Sequence, residues 1–245
     1  MVAGSRQSVP QAGTQQEEIA MLPLDTGLFG RLRRDAGADW TNYVRHAFVR
    51  QLGAGTLARP AFQHFLKQDY LFLIHFARAY ALAAVKSDTL EDLRGAAAAV
   101  TTIVDTEMPL HVAYCRDWGL TEAQMAAEPE AMECVAYTRF VLDCGLAGDR
   151  LDLETALAPC VVGYAEAVAL LLEDPTTVRE GNTYNAWMEA YSGPEYVAAV
   201  SAAIARLERI GAARGAEARY PKLLETFRAA TRLEAAFWDM GLAAG

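Results

Sequence analysis

Six side chains have the types and surroundings needed for chemistry on a flat heteroaromatic ring. They are Asp69 in LKQDYLFLIHF, Tyr137 in AYTRF, Cys160 and Tyr164 in LAPCVVGY, Tyr191 in WMEAYSG, and Glu234 in LEAAFW. A thiol supplies a nucleophile, carboxylates exchange protons or pair with ring amino groups, and phenols stack and donate hydrogen bonds. Together they describe an aromatic pocket with one nucleophile and two acids.

Each residue also has a plainer reading. Cys160 follows Pro159 inside a helical pattern, where a proline removes one backbone N–H and frees a carbonyl one turn earlier. Such a distortion re-aims a neighbouring side chain, and Tyr164, four residues on, shares its face. A buried structural cysteine is the common alternative. Asp69 lies among Phe65, Leu66, Phe72, Leu73 and Phe76. A carboxylate on such a face is costly unless paired, so it is either a hydrogen-bond anchor or a ligand contact. Glu234 precedes Phe237 and Trp238. Against those rings its pKa would rise, which suits a general acid or base; otherwise it is a surface glutamate. Singly, the three tyrosines read equally well as core aromatics with one wet end.

The elements that must position these residues are helical almost throughout. Asp39 is placed to cap a helix from Trp40 to about Leu52, ended by Gly53 and Gly55. Pro60 opens a long helix to about Val85. Asp88 and Glu91 form a capping-box pattern for a helix to about Asp117, and Thr121 with Gln124 repeats it for a short one. Pro129 starts another that stops near Gly145. Asp152 caps the next, from about Leu153 to Leu172. A short helix near 183–190 and two final ones, Pro194 to Ala213 and Ala218 to Gly241, complete the chain. No alternating β-branched run suggests a strand. The expectation is an all-α domain over residues 25–245, with roughly seven to nine helices. Residues 1–24, rich in Gln, Ser, Gly and Pro, read as a flexible tail.

Bulk properties narrow the function. The chain has 245 residues, enough for one large core, and a net charge of −9. That charge argues against nucleic acid as a partner, since no basic stripe exists to replace counterions. RLRR at 31–34 is the densest basic cluster and reads as a solvated face. No stretch of about 18 uninterrupted apolar residues or secretory leader is seen, so the reading is cytoplasmic with no membrane partner. The four cysteines form no CxxC pair, which disfavours structural zinc. Asp105, Glu107 and His111 in VDTEMPLH, with His75, are the nearest approach to a di-iron set. They lack the Glu-x-x-His spacing of helical bundles. No haem, P-loop or dinucleotide motif occurs, and neither a metal nor an organic cofactor is expected.

Seven words occur in an order that resembles the TenA family, the thiaminase II enzymes: RHAFVRQLGAGTL, LKQDYLFLIHFARAYA, DTEMPLH, AYTRFVL, LAPCVVGYAEA, YNAWMEAYSG and AAFWDMG. The likeness spans about residues 40–240. It implies a heme-oxygenase-like multi-helical bundle without haem, assembled as a homotetramer. It further implies a thiamin-salvage hydrolase that removes the amino group of 4-amino-5-aminomethyl-2-methylpyrimidine, with thiamin cleavage as a second activity. Carried over residue by residue, the resemblance makes Cys160 the group that adds to the pyrimidine. Glu234 exchanges a proton with ring nitrogen and leaving group, and Asp69 holds the exocyclic amine. Tyr137, Tyr164 and Tyr191 line the ring. Phe72 stands where the family often has a tyrosine, so stacking is kept and a phenolic hydrogen bond is lost. A di-iron or cofactorless oxidase on the same fold, or a non-catalytic pyrimidine-binding protein, are the competing readings.

Overall fold

The computed structural model describes Ile19 and residues 21–245, and these residues form helices and no strand. Helices α1 (Gly27–Ala36), α2 (Ala38–Val44) and α3 (Ala47–Gly53) precede the long α4 (Arg59–Val85). Then come α5 (Leu90–Thr102), a π turn (Ile103–Glu107), α6 (Met108–Asp117), α7 (Glu122–Ala126) and α8 (Met132–Ala147). The C-terminal half holds α9 (Arg150–Glu173), α10 (Asn185–Ser192), α11 (Pro194–Ala213) and α12 (Ala216–Ala243). Most of the stretch read as a tail lies outside the described residues; within it, Ile19 and Leu22 pack on the core.

The chain is cut into more segments than its periodicity suggests. The helix expected from Trp40 to Leu52 is two helices, broken at Arg45 and His46. His46 is extended and its Nδ1 accepts the backbone N–H of Phe48, so the imidazole caps α3. Asp39 is not a cap. It sits in the first turn of α2 and pairs with Arg228 and Arg232 of α12. Cap positions shift elsewhere as well. Thr89 caps α5 by accepting from Asp92 N–H, and Asp149 caps α9 with Asp152 as the box partner. RLRR belongs to a helix whose Leu32 is fully buried, and Arg33 reaches Glu166, so this segment is not merely a solvated face.

Helix α9 is the centre of the bundle. It packs against α8, α10, α11 and α12, while α4 packs against α5, α8 and α12. Among the described residues, α9 is the one helix long and apolar enough to cross a membrane, but 72% of its most apolar window is buried in the bundle. Its buried polar groups are paired. Arg150 donates to Glu154 and to the Ala83 carbonyl, and Glu166 accepts from Arg33 at 2.6 and 2.7 Å and from the Trp40 indole at 2.9 Å. The resulting frame holds α4, α8, α9 and α12 in register, and these four carry five of the six candidate residues.

Candidate active site

Gly163 sets how closely α2 approaches α9. A Cβ there would lie 2.1 Å from Cε1 of Tyr43, so only glycine admits the ring. Tyr43 then donates its hydroxyl to the carbonyl of Pro159 at 3.3 Å. On the other side, Tyr196 of α11 donates to the carbonyl of Val161 at 3.0 Å. Two phenols thus grip the backbone on either side of Cys160. The carbonyls engaged are those of Pro159 and Val161, not one a turn before the proline, and the two tyrosines are partners the sequence did not reveal.

Glu234 projects from α12 toward this point and is almost wholly buried. Tyr137 of α8 donates its hydroxyl to Glu234 Oε1 at 2.7 Å. Burial pushes the Glu234 carboxyl up to about 8, against the hydrogen bond from Tyr137, which holds it lower; the charge of Asp69 adds to the rise, and Tyr43 and Cys160 oppose it. It therefore rests mostly protonated near neutral pH. Burial, and then the Glu234 charge, push the Cys160 thiol well above the usual thiol range. Cys160 rests as S–H and needs a base to become a nucleophile. Glu234 is the acid whose charge weighs most on it after burial.

Two aromatic walls flank the pair. Tyr164 of α9 lies 4.8 Å from Tyr191 of α10, ring centre to ring centre, with Trp187 5.9 Å from Tyr164 and Trp238 5.0 Å from it. Opposite, Phe72 of α4 lies 5.3 Å from Tyr137, tilted by 31°, and stacks on Phe76 at 5.8 Å. Burial raises the hydroxyl pKa of Tyr137, Tyr164 and Tyr191 far above the ordinary phenol, so all three stay neutral. Asp69 enters from α4. Burial raises its carboxyl, while His111 opposes the rise. Its charge is felt by Cys160, Tyr164, Tyr191 and Glu234. Asp69, Cys160, Tyr191 and Tyr196 keep some accessible surface among the helices. A cavity lined by Phe29, Glu154, Leu157 and Arg206, and a groove at Met21 and Pro194, include none of these residues.

The structure brings together all seven residues singled out in the sequence. It separates the would-be metal set. His75 engages Glu130 and Arg139, whereas His111 bonds the Leu66 carbonyl and faces Asp69. Among the described residues, no group of three His, Cys, Asp or Glu side chains is arranged to hold a metal ion. Tyr43, Tyr196 and Trp187 are the additions, and His111, read in the sequence as a metal candidate, lies against Asp69 instead. A glycine four residues after Pro159 was the available signal for Tyr43, since it marks a close approach.

The arrangement can protonate a ring nitrogen from Glu234 while the adjacent thiol adds to ring carbon, with the aromatic walls holding the ring flat. Its relatives share the fold and the sequence. The chain is 35% identical over 212 residues to an uncharacterized protein of Haemophilus influenzae, covering 86% of this chain and 97% of that one. It is 32% identical over 202 residues to the aminopyrimidine aminohydrolase of Halalkalibacterium halodurans, covering 82% and 89%. The crystal structure of a TenA family transcription regulator from a Silicibacter species superposes with a TM-score of 0.81 at 43% identity, over 88% of this chain and 96% of that one. The model of the TENA/THI-4/PQQC family matches residues 34–244. On fold, sequence and extent, the chain belongs to that family.

Proposed function

We propose that the protein is an aminopyrimidine aminohydrolase, acting on 4-amino-5-aminomethyl-2-methylpyrimidine to give the 5-hydroxymethyl pyrimidine and ammonia. The observation that carries this reading is the buried Glu234 carboxyl, hydrogen-bonded by Tyr137 at 2.7 Å and pushed up to about 8, whose charge weighs on the buried Cys160 thiol. A protonated carboxyl beside a thiol, walled by Phe72, Tyr137, Tyr164 and Tyr191, suits nucleophilic addition to an electron-poor ring. The similarity to an aminopyrimidine aminohydrolase at 32% identity supports the substrate class.

In this mechanism Glu234 gives its proton to a ring nitrogen as the Cys160 sulfur bonds to ring carbon. The thiol proton passes to the carboxylate so formed, which leaves Glu234 protonated again. The ring is no longer aromatic, and its electrons expel the substituent's nitrogen, which takes the Glu234 proton and leaves as ammonia, giving an exocyclic methylene. Water adds to that methylene and returns a proton to the Glu234 carboxylate. The C–S bond then breaks, the ring nitrogen gives up its proton to the departing sulfur, and aromaticity returns. Asp69 accepts from the exocyclic amine and fixes which ring edge meets Glu234. Protein groups supply every proton movement. The same addition at a thiamin substrate would expel the thiazole instead, so thiamin cleavage is the second activity to assay.

The test is ammonia release from the aminomethylpyrimidine by the purified protein, with the hydroxymethyl product identified by chromatography. Both products in equal amounts support the reading. A folded protein that binds the pyrimidine and releases neither would leave a binding or regulatory role.

A further inference from the structure

His111 was unabsorbed by the chemistry above, yet its surroundings are specific. It projects from α6, one turn after the π turn, with its side chain 9% exposed and that of Asp69 14% exposed. Its Nε2 lies 2.9 Å from the carbonyl oxygen of Leu66, on the turn of α4 that precedes Asp69. A carbonyl only accepts, so Nε2 carries hydrogen, and that bond fixes the ring. Nδ1 then faces Asp69 Oδ2 at 3.4 Å, within ion-pair reach. Contacts of this length in an empty site tighten when the reacting complex forms.

We propose that His111 is a positioning residue that holds one proton in common with Asp69, so that Asp69 meets the substrate as acid or carboxylate while the pair stays neutral. The proposal rests on the aminohydrolase reading for its role in catalysis, though not for the shared proton. In one form, neutral His111 accepts at Nδ1 from the carboxylic acid of Asp69. In the other, the proton has moved from Oδ2 to Nδ1, its bonding pair stays on oxygen, and an imidazolium faces a carboxylate. The first form donates toward a ring nitrogen; the second accepts from an amino group. Neither form changes the charge of the pocket, which matters because the interior penalises net charge.

The groups around the pair favour keeping that proton. The charge of Asp69 weighs on Glu107 of the π turn, Cys115 of α6 and Cys134 of α8. It weighs also on Cys160 and Tyr164 of α9, Tyr191 of α10 and Glu234 of α12. The Tyr70 ring lies 6.5 Å from the imidazole. These are acids, phenols and thiols. A bare carboxylate at Asp69 beside a neutral His111 would add a further negative charge to them.

The chain has four histidines, so the imidazole nitrogens can be followed by 15N NMR on the intact protein. The His111 signals are identified by their loss in His111→Gln. The expected result is a protonated Nε2 and an Nδ1 chemical shift that changes in Asp69→Asn. An Nδ1 signal identical in wild type and Asp69→Asn would overturn the shared proton, whatever the activity. In kinetics, His111→Gln keeps a donor for the Leu66 carbonyl and removes the Nδ1 partner. It should lower kcat about tenfold with KM changed less than about twofold, and should move the acid limb of the kcat pH profile. A profile that superimposes on wild type, with Tm retained, would reduce His111 to a structural residue. If wild type releases no ammonia, the aminohydrolase reading fails, and the NMR comparison still decides the proton.

Discussion

The hydroxyl of Tyr137 lies 2.7 Å from Oε1 of Glu234, joining α8 to α12 at the centre of the pocket. This bond opposes burial and keeps the Glu234 carboxyl from rising further. In Tyr137→Phe the carboxyl should therefore titrate higher. A hydrogen bond to a charged group is worth about 1.5 kcal/mol, or about one pH unit. Because the mechanism uses protonated Glu234, wild-type kcat should fall above about pH 8. The alkaline limb should move upward in the variant. Rates measured from pH 6 to 10 check the direction; an unmoved or lowered limb would detach Glu234 from the rate.

The same carboxyl links pH to stability. Its folded pKa, about 8, lies above the ordinary 4.5, so the native state holds one proton that the unfolded chain has lost between those values. Its contribution is fully present below about pH 4.5 and is lost as pH rises through about 8. The slope in that window is about −1.4 kcal/mol per pH unit from this group. Glu234→Gln should flatten that part of the curve and be relatively more stable at pH 8 than at pH 5. Denaturant unfolding at the two pH values gives the comparison, and an equal difference from wild type at both would contradict it.

Much of this arrangement was legible beforehand, for identifiable reasons. Pro60, Pro194 and the Thr121–Gln124 box mark helix starts close to where they occur, because the rules for first-turn residues are local. Asp69, Cys160 and Glu234 stand out because a polar group on an apolar face needs a reason. The break at Arg45 and His46 was not legible. It depends on an imidazole cap and on Asp39 being drawn to arginines nearly two hundred residues away. The π turn at Ile103–Glu107 lies inside a sequence that reads as continuous helix. Tyr43 carries no sequence signal because its partner is a backbone carbonyl on another helix, and His111, which the sequence offers only as a metal candidate, is tied to the Leu66 carbonyl in the same way.

Gly163 offers a packing test of the site. Alanine there would push against the Tyr43 ring, whose Cε1 is 2.1 Å from the added Cβ. Such overpacking costs about 1–3 kcal/mol. Gly163→Ala should lower stability by that amount and reduce kcat, since Tyr43 grips the Pro159 carbonyl beside Cys160. Chemical denaturation and the ammonia assay together read both effects; full stability with full activity would show that α2 shifts freely.

The buried Glu166 gives a control remote from the chemistry. Arg33 binds both of its oxygens and the Trp40 indole binds one. Removing a partner from a fully buried pair costs about 3–5 kcal/mol, but the Arg33 side chain keeps 25% of its surface exposed, so water compensates in part. Arg33→Ala should cost about 2 kcal/mol by equilibrium unfolding while leaving KM near the wild-type value. A loss below about 0.5 kcal/mol would mean the pair behaves as a surface bridge.

The central claim is that the Cys160 sulfur forms the bond that opens the reaction. Turnover of the aminomethylpyrimidine by wild type and by Cys160→Ser, at equal folded concentration, tests it most directly. The account predicts ammonia release by the first and a loss of at least about a hundredfold in kcat in the second, with Tm nearly unchanged. Wild-type turnover in Cys160→Ser would contradict covalent addition.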